Sequence, residues 1–526
     1  MNLKIYRIVR ATVGLIVLTS CTLVFADIGD WLSAFQARVV VWPQFAPSLL
    51  NIFGKAGWIA GGCVGVIGLT WLFGRVYCSM LCPLGILMDV AAKLAKRTGK
   101  RRKLLYVEGR TWLRISAVAV CGGGLLLGTA VPLGMLDPYS VFGRVVAGTL
   151  RPLCMWTNHG LAALGWAHPV VVSPVHWATA LVACGMLALI VSLAVLRGRL
   201  WCNTLCPVGA VLGYFSRHAW LRLRIASSQC VSCSLCERVC PSQCIDFRHH
   251  KIDHSRCVMC LDCVSSCRKN GISFVRGGKL AALPELAGLP PRRAEKCDRV
   301  EWAAPESWGI KRRGFLALAA SVPAVALAES GVPKDLDQRN KQVVLPPGAR
   351  GIDHFRSHCT ACHLCVVNCP DQVLRPSITR HGLSGFLQPY QDFDVSFCSY
   401  NCSDCSHICP TGAIQPLSVE ERKGVQAGVV RLFEDRCVVH TAGTSCGACA
   451  EHCPTQAVHM VPFKGNLTAP EITAELCVGC GGCEFICPVR PSKAIIVEGL
   501  DTHRAAKIPD RGKANTVRKM DQEFPF

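Results

Sequence analysis

A chain of 526 residues that is 51% hydrophobic, holds 35 cysteines and carries a formal net charge of +22 is not composed like a soluble enzyme of its length. The cations gather beside apolar runs rather than on one aromatic-interleaved face, which argues against nucleic-acid binding. Most cysteines recur in tight C-x2-C groups, so metal rather than a secreted disulfide framework is indicated.

Residues 1–224 read as a membrane domain. Apolar stretches at about 8–26, 56–76, 112–134 and 174–196 reach or approach the length that crosses ~30 Å of hydrocarbon at 1.5 Å per residue. Four transmembrane helices are expected. Lys93, Lys96, Arg97, Lys100, Arg101, Arg102 and Lys103 lie between the second and third, and another basic cluster follows the fourth. The segments 27–55 and 135–173 are poor in cations and include Asp27, Asp30 and Asp137. The positive-inside rule then faces the N-terminus, the 77–111 loop and the chain just after 197 to the cytoplasm.

Residues 225–275 form a compact Cys-rich module, and 276–310 a Pro-, Glu- and Arg-rich linker. Residues 311–330 hold Arg312-Arg313-Gly314-Phe315-Leu316 before an apolar run, which is either a fifth span or a short surface helix when read as local structure alone. A second, longer Cys-rich module occupies 331–500, and 501–526 is a polar tail. The expected fold class is an α-helical polytopic membrane domain plus α+β ferredoxin-like modules of the bacterial 2[4Fe–4S] type.

The first module carries Cys230, Cys233, Cys236 and Cys240, then Cys257, Cys260, Cys263 and Cys267. Both match C-x2-C-x2-C-x3-C, in which three thiolates on a tight loop reach one cubane and the fourth points to its neighbour. Cys230, Cys233, Cys236 and Cys267 are assigned to one cluster, and Cys257, Cys260, Cys263 and Cys240 to the other. Arg268 stands where Pro usually follows the second run. The second module has four groups: Cys359, Cys362, Cys365 and Cys369; Cys398, Cys402, Cys405 and Cys409; Cys437, Cys446, Cys449 and Cys453; Cys477, Cys480, Cys483 and Cys487. The first gaps of groups two and three are longer. In all, 24 of the 35 cysteines fall into six [4Fe–4S] sites. Zinc ribbons pair C-x2-C units but do not repeat a three-plus-one spacing six times.

The second module resembles four-cluster ferredoxin subunits of the NapG/MauM type. That resemblance implies that groups one and four exchange last ligands, as do groups two and three. Cys487 would then complete group one and Cys369 group four, with Cys453 completing group two and Cys409 group three. The membrane part resembles NapH, MauN and the core of NosR, chiefly in two C-x3-C-P motifs, Cys78–Cys82-Pro83 and Cys202–Cys206-Pro207, each followed by x-Gly. Asp137-Pro138-Tyr139 adds to the likeness. The twin arginine resembles an export signal that NapG/MauM-type proteins carry at their own N-terminus, so the chain looks like a NapH-like half fused to a NapG-like half. The two-cluster module would then be cytoplasmic and the four-cluster module periplasmic, on a bacterial inner membrane.

Four thiols near the membrane surface can hold a metal, an extra cluster or a redox-active dithiol, or simply cap two helices. Cys21, Cys63, Cys121 and Cys184 read as small hydrophobes; Cys154, Cys244 and Cys297 have no partner spacing. His159, His168 and His176, with Asp137, are candidates for a quinol site, which needs a proton acceptor beside an apolar slot. The expected role is an electron-transfer subunit, of quinol dehydrogenase type, linking a quinone or menaquinone pool to a c-type cytochrome or periplasmic reductase. The alternative is a maturation or metal-reduction factor working through Cys78, Cys82, Cys202 and Cys206.

Overall fold

The computed structural model describes residues 3–26, 34–53, 57–98, 104–165, 177–276, 342–378 and 380–507. The twin-arginine segment, His168, His176 and the linker beyond Arg276 lie outside them.

Among the described residues two helices are long and apolar enough to cross a membrane: α1 (Leu3–Ala26) and, numbered in chain order below, α11 (Trp177–Arg197). Only 22% and 17% of their apolar windows are buried against protein, so Leu15, Ile16, Leu23 and Leu181 present bare apolar surface. The other two expected spans are shorter than about 20 residues. Helix α4 (Gly57–Phe73) stops because Gly74 turns left-handed at φ +77°. Helix α7 (Thr111–Leu126) stops before Gly128 at φ +75°, and Pro132 opens a new helix, α8 (Val131–Leu136).

Between these lie α2 (Ala34–Val41), α3 (Phe45–Leu50), α5 (Tyr77–Met80), α6 (Pro83–Arg97), α9 (Pro138–Val145) and α10 (Arg151–Ala163). After α11 come α12 (Leu200–Thr204) and α13 (Pro207–Arg217). A π-helical turn, Val146–Leu150, joins α9 to α10. Helix α6 runs back along α1: Ile86 packs on Gly14, and Asp89 bonds Arg10 at 3.0 Å.

The two-cluster module pairs strand Leu221–Ile225 antiparallel with Ile272–Arg276 and adds the short hairpin Ile245–Asp246 with Lys251–Ile252. Helices α14 (Leu235–Val239) and α15 (Asp262–Ser266) start within its two cysteine runs. The four-cluster module has three further two-stranded antiparallel sheets, the longest joining Val425–Leu432 to Ile495–Ala505.

The modules grip opposite ends of α1. Near its start, Tyr6 Oη donates to the Met259 carbonyl at 2.8 Å and Arg10 to the Cys260 carbonyl at 2.7 Å. Arg114 reaches Ser255 Oγ at 2.9 Å on the same side. Near its end, Phe25 packs beside Gly143, whose Cα lies against the Cys362 carbonyl; a side chain there would collide with both. Arg144, buried in α9, donates to the carbonyls of Thr360 (3.2 Å), Ala361 (3.3 Å) and Gly134 (2.7 Å). Asn51 reaches the Pro410 carbonyl at 3.4 Å, and Arg151 that of Val367 at 2.8 Å.

Candidate iron–sulfur centres

The local fold of the cysteine runs follows from what three thiolates on one loop demand. In four runs the second cysteine is flanked on both sides by left-handed residues: Ser232 and Ser234, Met259 and Leu261, Ala361 and His363, Gly479 and Gly481, with φ between 51° and 79°. Six of these eight are not glycine, and a left-handed non-glycine costs about 1 kcal/mol or more. Such strain persists where something else holds the loop curled, and it turns successive backbone N–H groups inward toward an anion. Groups two and three, with their longer first gaps, lack the paired pattern among the described residues.

Two cavities show which cysteines meet. Cys240, Cys257, Cys260 and Cys263 line one; Cys369, Cys398, Cys402 and Cys405 line another. Sulfur acceptors already receive donors around them: Gly271 N to Cys267 Sγ at 3.3 Å, Ile414 N to Cys409 Sγ at 3.4 Å, Val458 N to Cys453 Sγ at 3.5 Å and Arg422 Nη2 to Cys398 Sγ at 3.2 Å. Every described cysteine is free of disulfides. Among the described residues no three His, Cys, Asp or Glu side chains are close enough to share one metal ion. A cubane takes one thiolate per iron, so its ligands stand farther apart than those of a single ion. All-sulfur donors, cavities between them and N–H groups directed at sulfur fit that group.

The cysteine neighbours in the structure differ from those the resemblance implies for the four-cluster module. Cys409 stands close enough to act electrostatically on Cys359, Cys362 and Cys365. Cys369 faces Cys405 of group two rather than group four. Cys453 faces Cys477, Cys480 and Cys483 rather than group two. The helices carrying the ligands agree: Leu364–Val367 packs on Asp404–Ile408, and Ala448–Glu451 on Gly482–Ile486. These neighbours favour exchange between groups one and two and between groups three and four.

Cys244, which had no partner spacing, lies 3.6 Å from Cys240 sulfur to sulfur and lines the same cavity. Its offset of four from Cys240 was the available signal. Cys21, Cys63 and Cys121 are buried as expected, whereas Cys184 is exposed.

The two C-x3-C-P motifs come together as a pair of interlocked repeats. Gly74-Arg75 precedes Cys78 as Gly198-Arg199 precedes Cys202. Arg75 donates to the Cys202 carbonyl at 3.1 Å, and Arg199 donates to the Cys78 carbonyl. The missing side chains of Gly85 and Gly209 admit these crossings, since a Cβ at either would strike the carbonyl. Cys82 and Cys206 N-cap α6 and α13, accepting from Gly85 N at 3.4 Å and Gly209 N at 3.2 Å. Asp89 binds Arg199 and Arg10 together; burial works to raise its carboxyl, but the two guanidinium groups, Arg199 foremost, hold it below the ordinary range.

The quinol candidates separate. Asp137 N-caps α9, accepting from Ser140 N and Oγ at 2.8 Å each; burial raises its pKa to about 6. His159 is exposed on α10. Neither lines the apolar pocket that lies instead between α11 (Ala180, Ala183), the π turn (Ala147, Gly148), Arg144 and His363. His363 follows Cys362 directly. Burial and then Arg144 depress its pKa to about 3, and Nε2 donates to the Leu387 carbonyl at 3.0 Å. A π turn at a ligand pocket is a recurrent arrangement.

A family described as a 4Fe-4S binding domain matches residues 56–101, 179–226 and 405–419, and one described as a 4Fe-4S dicluster domain matches 444–490. The methylamine utilization ferredoxin-type protein MauM of Methylophilus methylotrophus is 30% identical over 195 residues, 36% of this chain and 84% of that protein. The chain belongs to the MauM-type ferredoxin family. The ferredoxin-type protein NapG of Escherichia coli K12 is 28% identical over 178 residues, 31% of this chain and 76% of NapG. An uncharacterized protein of Methanocaldococcus jannaschii is 28% identical over 208 residues, 40% of this chain and 67% of its own length. No solved structure matches. Iron–sulfur electron transfer is the function these MauM- and NapG-type relatives support, and the dicluster match covers Cys446, Cys449 and Cys453 of group three and all of group four.

Proposed function

We propose that the chain moves electrons between the membrane quinol pool and a periplasmic redox partner, through six [4Fe–4S] clusters held by 24 cysteines. The observation that carries the quinol half is the pocket between α11 and His363. It has apolar walls from an exposed apolar helix, convergent polar groups at one end, and a cluster-binding loop as its floor, the combination a quinone ring requires. His363 and Arg144 take the place first given to His159, His168, His176 and Asp137.

The modules' contacts with opposite ends of α1, and the cations of α6 on the side of the two-cluster module, support a cytoplasmic two-cluster module and a periplasmic four-cluster module. On this reading α4 and α7 are short spans completing a NapH-like core in the inner membrane. A c-type cytochrome or periplasmic reductase is the partner class on this reading.

The convergence of the two C-x3-C-P motifs favours a second reading, in which their thiols reduce or load another protein's metal. In proteoliposomes, a menaquinol analogue is expected to bleach the cluster absorbance of the purified protein, and filling the pocket by Ala183→Trp to abolish bleaching by quinol but not by dithionite. Clusters that dithionite reduces and quinol does not would overturn the quinol reading.

A further inference from the structure

We propose that Cys78, Cys82, Cys202 and Cys206 together hold one additional iron–sulfur cluster, and that this centre relays electrons between the two ferredoxin modules. The relay rests on the electron-transfer reading above; the centre itself does not.

The first ground is construction. The four thiols are 2–5% exposed and are brought together by the reciprocal arginine crossing, so neither repeat completes the site alone. Two of the four sit at the N-termini of helices 15 and 11 residues long, where the backbone N–H groups of Gly85 and Gly209 already point at their sulfurs.

The second ground is charge. Arg199 has Asp89, but Arg75, with no exposed surface, has no carboxylate partner among the described residues. Its bonds go to Asn203 Oδ1 (3.2 Å), two carbonyls and Cys78 Sγ (3.6 Å), and its Nε has no partner. A buried guanidinium without an anion is strongly disfavoured. An anionic, thiolate-ligated cluster supplies the missing charge beside it. Four sulfurs with no imidazole or carboxylate select a soft iron–sulfur or thiophilic occupant, and no three of them are set for a single ion. The family described as a 4Fe-4S binding domain matches both segments that carry these motifs.

The third ground is position. Using α1 as a ruler, Tyr6 touches one module and Phe25 borders the other, about 28 Å apart at 1.5 Å per residue. Because Ile86 lies on Gly14 and α6 runs antiparallel, Cys82 is level with Leu18, about 18 Å from the first end and about 10 Å from the second. Bonded bridges lead both ways. Arg75 spans from Cys78 Sγ to the Ser255 carbonyl, two residues before Cys257. Tyr77 Oη donates to Gln44 Oε1 at 3.1 Å, and α3 carries on from Gln44 to Asn51, which meets Pro410 beside Cys409. Electron transfer slows exponentially with distance, so a stop midway is what two modules this far apart need.

In the relay one electron leaves a reduced cluster of one module, enters the four-cysteine centre, and passes to an oxidised cluster of the other. The donor is oxidised by one electron and the acceptor reduced by one; no bond forms or breaks and no proton moves.

The test compares the full chain with Cys78→Ser/Cys82→Ser/Cys202→Ser/Cys206→Ser in proteoliposomes. Iron is expected to fall from about 28 to about 24 per chain, four irons to each cubane. Equal iron in the two proteins, or copper or zinc in place of the lost iron, overturns the centre. Dithionite outside the vesicles should then reduce the near module at an unchanged rate and the far module at least tenfold more slowly, with a membrane-permeant mediator restoring it. Iron loss with far-module reduction unslowed overturns the relay. Because dithionite replaces quinol here, failure of quinol reduction leaves both results readable. Arg75→Gln, which keeps all four thiols, should retain the iron and lower the potential of one EPR-active centre that the Ser variant lacks; an unmoved potential overturns the charge argument.

Discussion

Asp89 and Arg199 form a two-point ion pair, Nε to Oδ1 at 3.0 Å and Nη2 to Oδ2 at 2.7 Å, with Arg10 on the same carboxylate at 3.0 Å. Arg199 is fully buried, so removing Asp89 strands a charge whose remaining hydrogen bond is to the Cys78 carbonyl. Asp89→Ala is expected to cost roughly 3–5 kcal/mol. Thermal unfolding in detergent, followed by the release of cluster absorbance, measures it. The carboxyl's folded pKa lies below its unfolded one, so the stabilisation is present above the ordinary carboxylate range and is lost as pH falls through the depressed value. The difference in unfolding temperature between the native chain and Asp89→Asn should therefore narrow below about pH 4. A difference that stays constant from pH 7 to pH 3.5 would count against the pair.

The neighbour pairing of clusters makes an iron-counting prediction. Replacing Cys359, Cys362, Cys365 and Cys409 together by Ser should remove one cluster, about four irons. Replacing Cys359, Cys362, Cys365 and Cys487 touches two clusters and should disturb the EPR signals of both. The reverse outcome would restore the exchange of group one with group four.

The cysteine runs were legible because their spacing is the ligand geometry itself: three thiolates on one loop cannot be displaced without losing a cubane. Which run lends its last ligand to which was not, since Cys369, Cys409, Cys453 and Cys487 have identical local settings and only the packing of Leu364–Val367 on Asp404–Ile408 distinguishes them. Span lengths were overstated at Gly74 and Gly128, where hydropathy continues but the backbone turns left-handed. Asp137 drew attention as a charged group in an apolar setting. Its use as a helix cap is a local Asp-Pro start that accepts from Ser140 three residues on, and only the further bond from Ser140 to Thr360, 220 residues away, lacks a local pattern. The pocket at His363 is likewise assembled from segments remote in sequence.

Arg144 sits on the carbonyls that flank Cys362 and is itself 2% exposed. Its charge favours the more negative, reduced state of the adjacent group-one cluster. Arg144→Met is expected to lower that cluster's potential while leaving the two-cluster module unchanged, as redox titration followed by EPR will show. It also strands three carbonyls, with roughly 1–3 kcal/mol lost for a buried group left unsatisfied. A potential that does not move, alongside lost stability, would reduce Arg144 to a docking residue.

Removing iron should unfold the modules rather than leave empty, native-like loops. Ser232, Ser234, Met259 and Leu261 are all held left-handed around the second cysteines of the two-cluster module, each at about 1 kcal/mol or more. The module's sheets are a five-residue pair and a two-residue hairpin, and ten buried residues, three of them proposed ligands, make up its core. So little apolar burial does not offset that strain once the thiolates lose their common partner, and ligation energy becomes folding energy. Anaerobic chelation is expected to raise amide exchange across 221–276 while α1 and α11 stay protected, and reconstitution with iron and sulfide to reverse it. Substituting glycine at Ser232 and Ser234 relieves the strain without touching a ligand or the buried core, so that variant should lose less structure on chelation than the native chain. Exchange in 221–276 that ignores iron in both proteins would show that the loops hold their shape unaided.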